Sequence, residues 1–124
     1  MIPILIISPN RDALSALAER LNEEKDITVL WAASAKNALE AASKDPVEFV
    51  ITDEHLGDMT GLEFAEKLVK INPMINCAVI SHLSSEEFHE ASEGLGLMAQ
   101  VPAYPDRMAA EELIKIIRKI KTLF

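Results

Sequence analysis

The sequence predicts a doubly wound α/β fold: a five-stranded parallel sheet in strand order 2-1-3-4-5, with five helices on its two faces. Two observations carry this. Short apolar runs such as Ile4-Leu5-Ile6-Ile7 and Phe49-Val50-Ile51 have the character of strands covered on both sides, as in the middle of a parallel sheet. These runs alternate along the chain with segments of helical spacing, the pattern of parallel strands joined by crossover helices. Right-handed crossovers make 2-1-3-4-5 the simplest winding.

Each element has its own signal. The first strand, Ile4-Leu5-Ile6-Ile7, is stopped by Ser8-Pro9-Asn10, because proline cannot donate to a ladder and Asn10 suits a helix N-cap. Leu14, Leu17, Ala18 and Leu21 then recur at helical spacing. A second strand follows at Ile27-Thr28-Val29-Leu30-Trp31-Ala32; its Thr28 suggests a place near an edge. Ser34 caps a helix whose inward side, Ala35, Ala38, Leu39 and Ala42, is small enough to lie close to a sheet.

Asp45-Pro46 turns the chain into the central strand, Phe49 to Thr52, which ends at Asp53. After a loop, Thr60-Gly61-Leu62-Glu63 has capping-box spacing and opens a helix that Asn72-Pro73 stops. Cys77-Ala78-Val79-Ile80-Ser81 is the fourth strand, and Ser84-Ser85-Glu86-Glu87 offers a second capping box for a helix running to Gly94. Leu97 to Val101 makes a fifth strand ended by Pro102, and the last helix follows Pro105-Asp106 with Leu113, Ile114, Ile117 and Ile120 facing inward.

The totals bound the function. The 124 residues fit one domain spanning 1–124, and 49% apolar with 26% charged residues is ordinary for a globular protein. A net charge of −8 argues against direct nucleic-acid binding, since phosphate backbones reward the opposite sign. One cysteine, Cys77, excludes an intrachain disulfide and is expected to be a buried small hydrophobe. Met1-Ile2-Pro3-Ile4 lacks the basic start of a signal peptide, and no apolar run reaches the ~18 residues of a membrane span. A cytoplasmic, non-membrane domain is expected.

In an open sheet of this winding, ligands collect beyond the carboxyl ends of the strands, at the point where the winding reverses. That point lies between strands one and three. Ser8 and Asp53 are therefore expected to face each other across a crevice, with Asp53 as the candidate reactive group.

From end to end the chain resembles the receiver domain of bacterial two-component response regulators, with the flavodoxin/CheY-like fold. The resemblance rests on Val50-Ile51-Thr52-Asp53, on the loop through Gly57 and Asp58 to Gly61-Leu62-Glu63, on Ser81 closing strand four, and on Pro102 after strand five. It implies that Asp53 is the phosphoacceptor for a sensor histidine kinase or a phosphotransfer protein. It also implies that Ser81 supplies the hydroxyl that contacts the phosphate, and that Mg²⁺ is held by Asp53 and the backbone carbonyl of His55. Receivers are signalling modules, so no free-standing enzyme is expected.

The chain departs from the family where the chemistry is most demanding. The two acidic residues that hold Mg²⁺ after strand one are here Ser8 and Pro9. The lysine that pairs with the phosphoryl oxygens is Val101, and the aromatic switch of strand five is Met98, or is displaced to Tyr104. Mg²⁺ prefers carboxylate oxygens in octahedral array, and phosphoryl transfer depends on neutralising charge. The expectation is a degenerate receiver, with Mg²⁺ weakly bound or absent and Asp53 phosphorylated weakly or not at all. Asn10, Glu54 and Asp58 are the residues from which a substitute oxygen could come.

Further readings stand beside this one. The alternative in function is a phosphorylation-independent interaction module, and a more distant one is a flavin or nucleotide binder. The latter is disfavoured because Pro9-Asn10-Arg11 stands where a glycine-rich phosphate loop would be. His55 and His82 sit on loops at the same edge as Asp53, which would suit a transition metal, although loop histidines without a role are commoner. Lys115, Arg118, Lys119 and Lys121 on the last helix read either as charge favoured near a helix C-terminus or as a docking face. The resemblance places self-association or an output domain on helix four, strand five and helix five.

Overall fold

Alternation along a strand sends successive side chains to opposite faces of a sheet, and β1 shows the consequence. In this computed structural model, which describes residues 1–123, Ile4 and Ile6 of β1 (Ile2–Ile7) point to one side and Leu5 and Ile7 to the other. All four are buried. On the Ile4 side, Leu14, Leu17 and Leu21 of the first helical segment and Ala110, Leu113 and Ile117 of the last helix close the core. On the Leu5 side the cover is Ala35, Ala38, Phe64, Leu68 and Phe88.

The remaining strands are β2 (Ile27–Ala32), β3 (Phe49–Thr52), β4 (Asn76–Ser81) and β5 (Ala99–Pro102). All pairs are parallel, and the order is β2-β1-β3-β4-β5. The helices are α1 (Ser15–Asn22), α2 (Ala35–Lys44), α3 (Gly61–Ile71), α4 (Ser85–Ala91) and α5 (Arg107–Leu123). The predicted winding is therefore the observed one, and β2 lies at an edge. Among the described residues, no helix is long and apolar enough to cross a membrane.

The caps account for where helices start. Ser34 accepts from the Asn37 N–H, and both Thr60/Glu63 and Ser84/Glu87 form reciprocal capping boxes. Differences from the sequence reading sit where backbone bonds decide. Asn10 is not a side-chain cap: a 3-10 turn (Arg11–Leu14) precedes α1, and Asn10 instead donates its N–H to Ser8 Oγ. β1 begins earlier than expected and includes Pro3. Pro3 pairs only with Thr28 of β2, while the pairing with β3 starts at Ile4, so its missing N–H leaves no gap on that side.

α4 stops at Ala91, short of Gly94, with the Ser92 hydroxyl bonded back to the Phe88 carbonyl. Gly94 and Gly96, with φ of 85° and 64°, turn the chain so that β5 starts only at Ala99. Pro102 lies inside β5 rather than after it, as an edge strand allows.

Candidate functional site

β1 and β3 are hydrogen-bonded neighbours although β2 separates them in the chain, so the residues just past their ends meet. The Asp53 N–H donates to the Ile7 carbonyl at 2.9 Å, extending the ladder one residue and aiming the carboxylate outward. Ser8, 1% exposed, lies opposite. Its Oγ is 2.7 Å from Asp53 Oδ2 and 3.0 Å from the Asn10 carbonyl. A hydroxyl has one proton, and the shorter, charge-assisted contact to the carboxylate takes it. Asp53 Oδ1 accepts the Glu54 N–H at 2.8 Å, so both carboxylate oxygens are engaged.

The loop after Asp53 is tightly closed. Gly61 donates its N–H to the Glu54 carbonyl at 2.9 Å, and His55 and Thr60 form an antiparallel bridge. A Cβ on residue 61 would lie 2.4 Å from the Asp53 carbonyl oxygen, so the start of α3 can approach the strand end only as glycine.

Asp53 opens onto a cleft of about 410 Å³. Its polar walls are Asn10, Asp53, Glu54, His55, His82 and Tyr104; Leu14 and Ile80 belong to its apolar part. The site is thus electrostatically acidic, with no lysine or arginine among the described residues that line it. Val101, at the position of the family lysine, is 2% exposed and packed in the core. Arg11 lies on the Trp31 ring, 4.6 Å from its centroid. Tyr104 is 92% exposed with φ of 54°, so it stands at the rim rather than under the loop.

The carboxylates near Asp53 are occupied. Glu54 Oε2 accepts the His82 N–H at 3.0 Å and lies 2.5 Å from the His82 ring Nδ1. Burial raises the Glu54 carboxyl, but the His82 N–H and ring outweigh it and hold it below the ordinary value. A carboxylate oxygen accepts, so this contact suits a His82 tautomer that donates from Nδ1. Asp58 turns away to the start of α2, accepting from the Ala35 and Lys36 N–H groups at 3.2 and 3.1 Å. These bonds, the Lys36 one foremost, lower its pKa. Sequence reading offered Glu54, Asp58 and Asn10 as substitute oxygens for a metal. Glu54 serves His82 and Asp58 serves α2; the Asn10 backbone is bonded to Ser8, and Asn10 itself lines the cleft.

The donors around Asp53 leave Mg²⁺ short of the carboxylate ligands it prefers. One carboxylate faces a serine that points its proton at it, and Pro9 adds no side-chain donor. Among the described residues, no three His, Cys, Asp or Glu side chains group as a metal site. Asp53, His55 and His82 do line one cleft, but the His82 ring is taken by Glu54.

Ser81 closes β4 at 3% exposure, and its Oγ accepts the Leu83 N–H at 3.1 Å. As an acceptor the hydroxyl holds its own loop and keeps its proton to donate; Ser81 is not among the residues that line the cleft. Two contacts had no signal in the sequence: the His82 pairing of Glu54 and the bond from Gln100 Nε2 to the Leu83 carbonyl at 2.8 Å. Cys77 is a buried free thiol, pushed up to about 12 by burial, which makes it unreactive.

The basic cluster of α5 is largely paired within the molecule. Arg118 binds Asp26 and Glu24, Lys121 binds Glu48, and Lys115 binds Glu112. The first two tie α5 to the opposite end of the sheet, leaving the docking reading of these cations with little free charge.

A parallel sheet wound 2-1-3-4-5, with an acid at the reversal point, defines a flavodoxin/CheY-like domain. The chain belongs to the response regulator receiver domain family, whose model matches residues 4–118. It is 33% identical over 98 residues to a response regulator receiver protein of Anaeromyxobacter sp. (strain Fw109-5), covering 79% of this chain. The match spans 41% of that protein's length.

Two solved structures show the same fold. A CheY-like receiver domain protein from Methanospirillum hungatei JF-1 superposes with a TM-score of 0.81 at 23% identity, covering 98% of each chain. The chemotaxis response regulator CheY4 of Vibrio cholerae gives 0.79 at 19% identity, covering 93% of this chain and 97% of that one.

Proposed function

We propose that this receiver domain acts in two-component signalling as a degenerate receiver, with Asp53 phosphorylated slowly or not at all and Mg²⁺ bound weakly. The observation that carries this reading is the Ser8 Oγ–Asp53 Oδ2 contact of 2.7 Å. A neutral hydroxyl holds the oxygen that would otherwise face a cation. An anionic donor approaching the cleft meets Asp53 and Glu54 with no lysine or arginine among its lining residues. Without a metal and a cationic partner, charge in the transition state goes unneutralised, which slows transfer by several powers of ten.

In this reading the domain is a cytoplasmic interaction module rather than a free-standing enzyme. It meets a sensor histidine kinase or phosphotransfer protein, and signals to an output domain or a second copy through α4, β5 and α5. That last face carries a mostly apolar groove of about 400 Å³ between β5 and α5, bordered by Val101, Pro102, Met108, Leu113 and Ile116. Such a groove suits a contact partner whether or not Asp53 carries phosphate. A flavin or nucleotide reading draws no support from the cleft, which has no lysine or arginine among its described lining residues to meet a phosphate.

The test is incubation with a small phosphodonor and Mg²⁺, read by intact mass, with Asp53→Asn as control. Little or no gain of a phosphoryl group is expected. A rapid, complete, Asp53-dependent gain would overturn the reading.

A further inference from the structure

Glu54 follows Asp53 directly, yet its carboxylate leaves β3 and reaches the loop between β4 and α4. We propose that Glu54 is a positioning residue that locks this loop, coupling the Asp53 cleft to the start of α4 through one side chain.

The lock is built from three strands. From the end of β3, Glu54 Oε2 takes both the His82 N–H at 3.0 Å and the His82 ring. From the end of β4, Ser81 Oγ takes the Leu83 N–H at 3.1 Å. From β5, Gln100 Nε2 donates to the Leu83 carbonyl at 2.8 Å. Ser84, the next residue, is already the N-cap of α4 and is locked to Glu87 by its capping box. No slack separates the clasp from the helix, so releasing His82 and Leu83 frees the first turn of α4.

The other end of the coupling is equally short. The Glu54 N–H donates to Asp53 Oδ1, and the Glu54 carbonyl accepts from Gly61. Its backbone is therefore held by the same carboxylate that faces the cleft and by the start of α3, while its side chain reaches His82. A ligand or modification that moves the Asp53 carboxylate pulls on Glu54 first. Coupling of this kind needs an element with two discrete arrangements; the structure holds the engaged one, with Glu54 Oε2 on both His82 groups. The clasp's operation does not require phosphate on Asp53, so it goes beyond the degenerate-receiver reading.

Residue-resolved hydrogen exchange of the whole chain, without phosphodonor, tests the lock. In Glu54→Ala the His82 and Leu83 amides are expected to exchange roughly 10–100-fold faster, the range set by losing a charge-assisted bond. The Glu87 amide in the first turn of α4 should follow, while β1 and β3 amides keep their protection. Glu54→Gln keeps an acceptor oxygen for the His82 N–H and should fall between the two. Unchanged exchange at His82 and Leu83 in Glu54→Ala, or acceleration spread evenly over the chain, would overturn the proposal. Neither result bears on the phosphodonor experiment, so the two readings fail separately.

Discussion

Ser8 Oγ and Asp53 Oδ2 stand 2.7 Å apart, from residues 45 positions apart in sequence, because β1 and β3 are neighbours in the sheet. The serine also accepts the Asn10 N–H, so one buried hydroxyl organises both the β1–α1 loop and the acid. Where a metal-binding receiver gathers negative charge, this chain sets a neutral donor.

Changing that donor has an expected sign. Ser8→Ala removes a hydrogen bond to a charged acceptor and should lower unfolding stability by about 1–2 kcal/mol, measured in urea. Ser8→Asp with Pro9→Asp sets like charges together and should be less stable than wild type in EDTA. Adding Mg²⁺ should restore stability in the variant and leave wild type nearly unchanged. Equal Mg²⁺ responses would show that carboxylates at positions 8 and 9 do not reach a metal beside Asp53.

Gly61 is the steric hinge of the site. Gly61→Ala would bring a methyl to 2.4 Å from the Asp53 carbonyl and 3.2 Å from Thr52 Cγ2. The strand end or α3 must shift, at a cost of about 1–3 kcal/mol, as for overpacking in a core. Chemical shifts should move at Thr52, Asp53 and Glu54 while those of β2 stay in place.

The α1–α5 side should govern acid lability. Arg118 bonds, to Asp26 first and then Glu24, lower both carboxyls from ordinary values of 3.8 and 4.5. Glu23 is lowered likewise, chiefly by Arg107. A depressed folded pKa means these groups favour folding above their unfolded values, and the benefit disappears as pH falls through the folded ones. Arg118→Met should therefore lower the midpoint of thermal unfolding by a few degrees at pH 7 and flatten its fall below about pH 4.5. Because the pairs are solvent-accessible, the difference should shrink in high salt.

Much of the architecture was legible because it depends on near neighbours in the chain. The apolar runs of β1, β3 and β4, the Ser34 cap and both capping boxes occur where local periodicity and spacing place them. The meeting of Ser8 and Asp53 also followed from the winding rule, since strand order alone brings those strand ends together. The Asn10 cap failed for a local reason: its backbone was drawn to Ser8, and a 3-10 turn formed first.

Residue types and their spacing alone determined the sheet, its winding and the acid at its reversal point, because hydrophobic period and helix caps act over a few residues. Only the tertiary structure decided what each polar group does. Glu54 finds His82 28 residues away, Asp58 finds α2, and Arg118 finds Asp26 across 92 residues. Such partners are set by strand register and by how each helix is laid on the sheet. A carboxylate in a loop has the same chemistry before folding wherever it will point, and only packing selects the donor it meets.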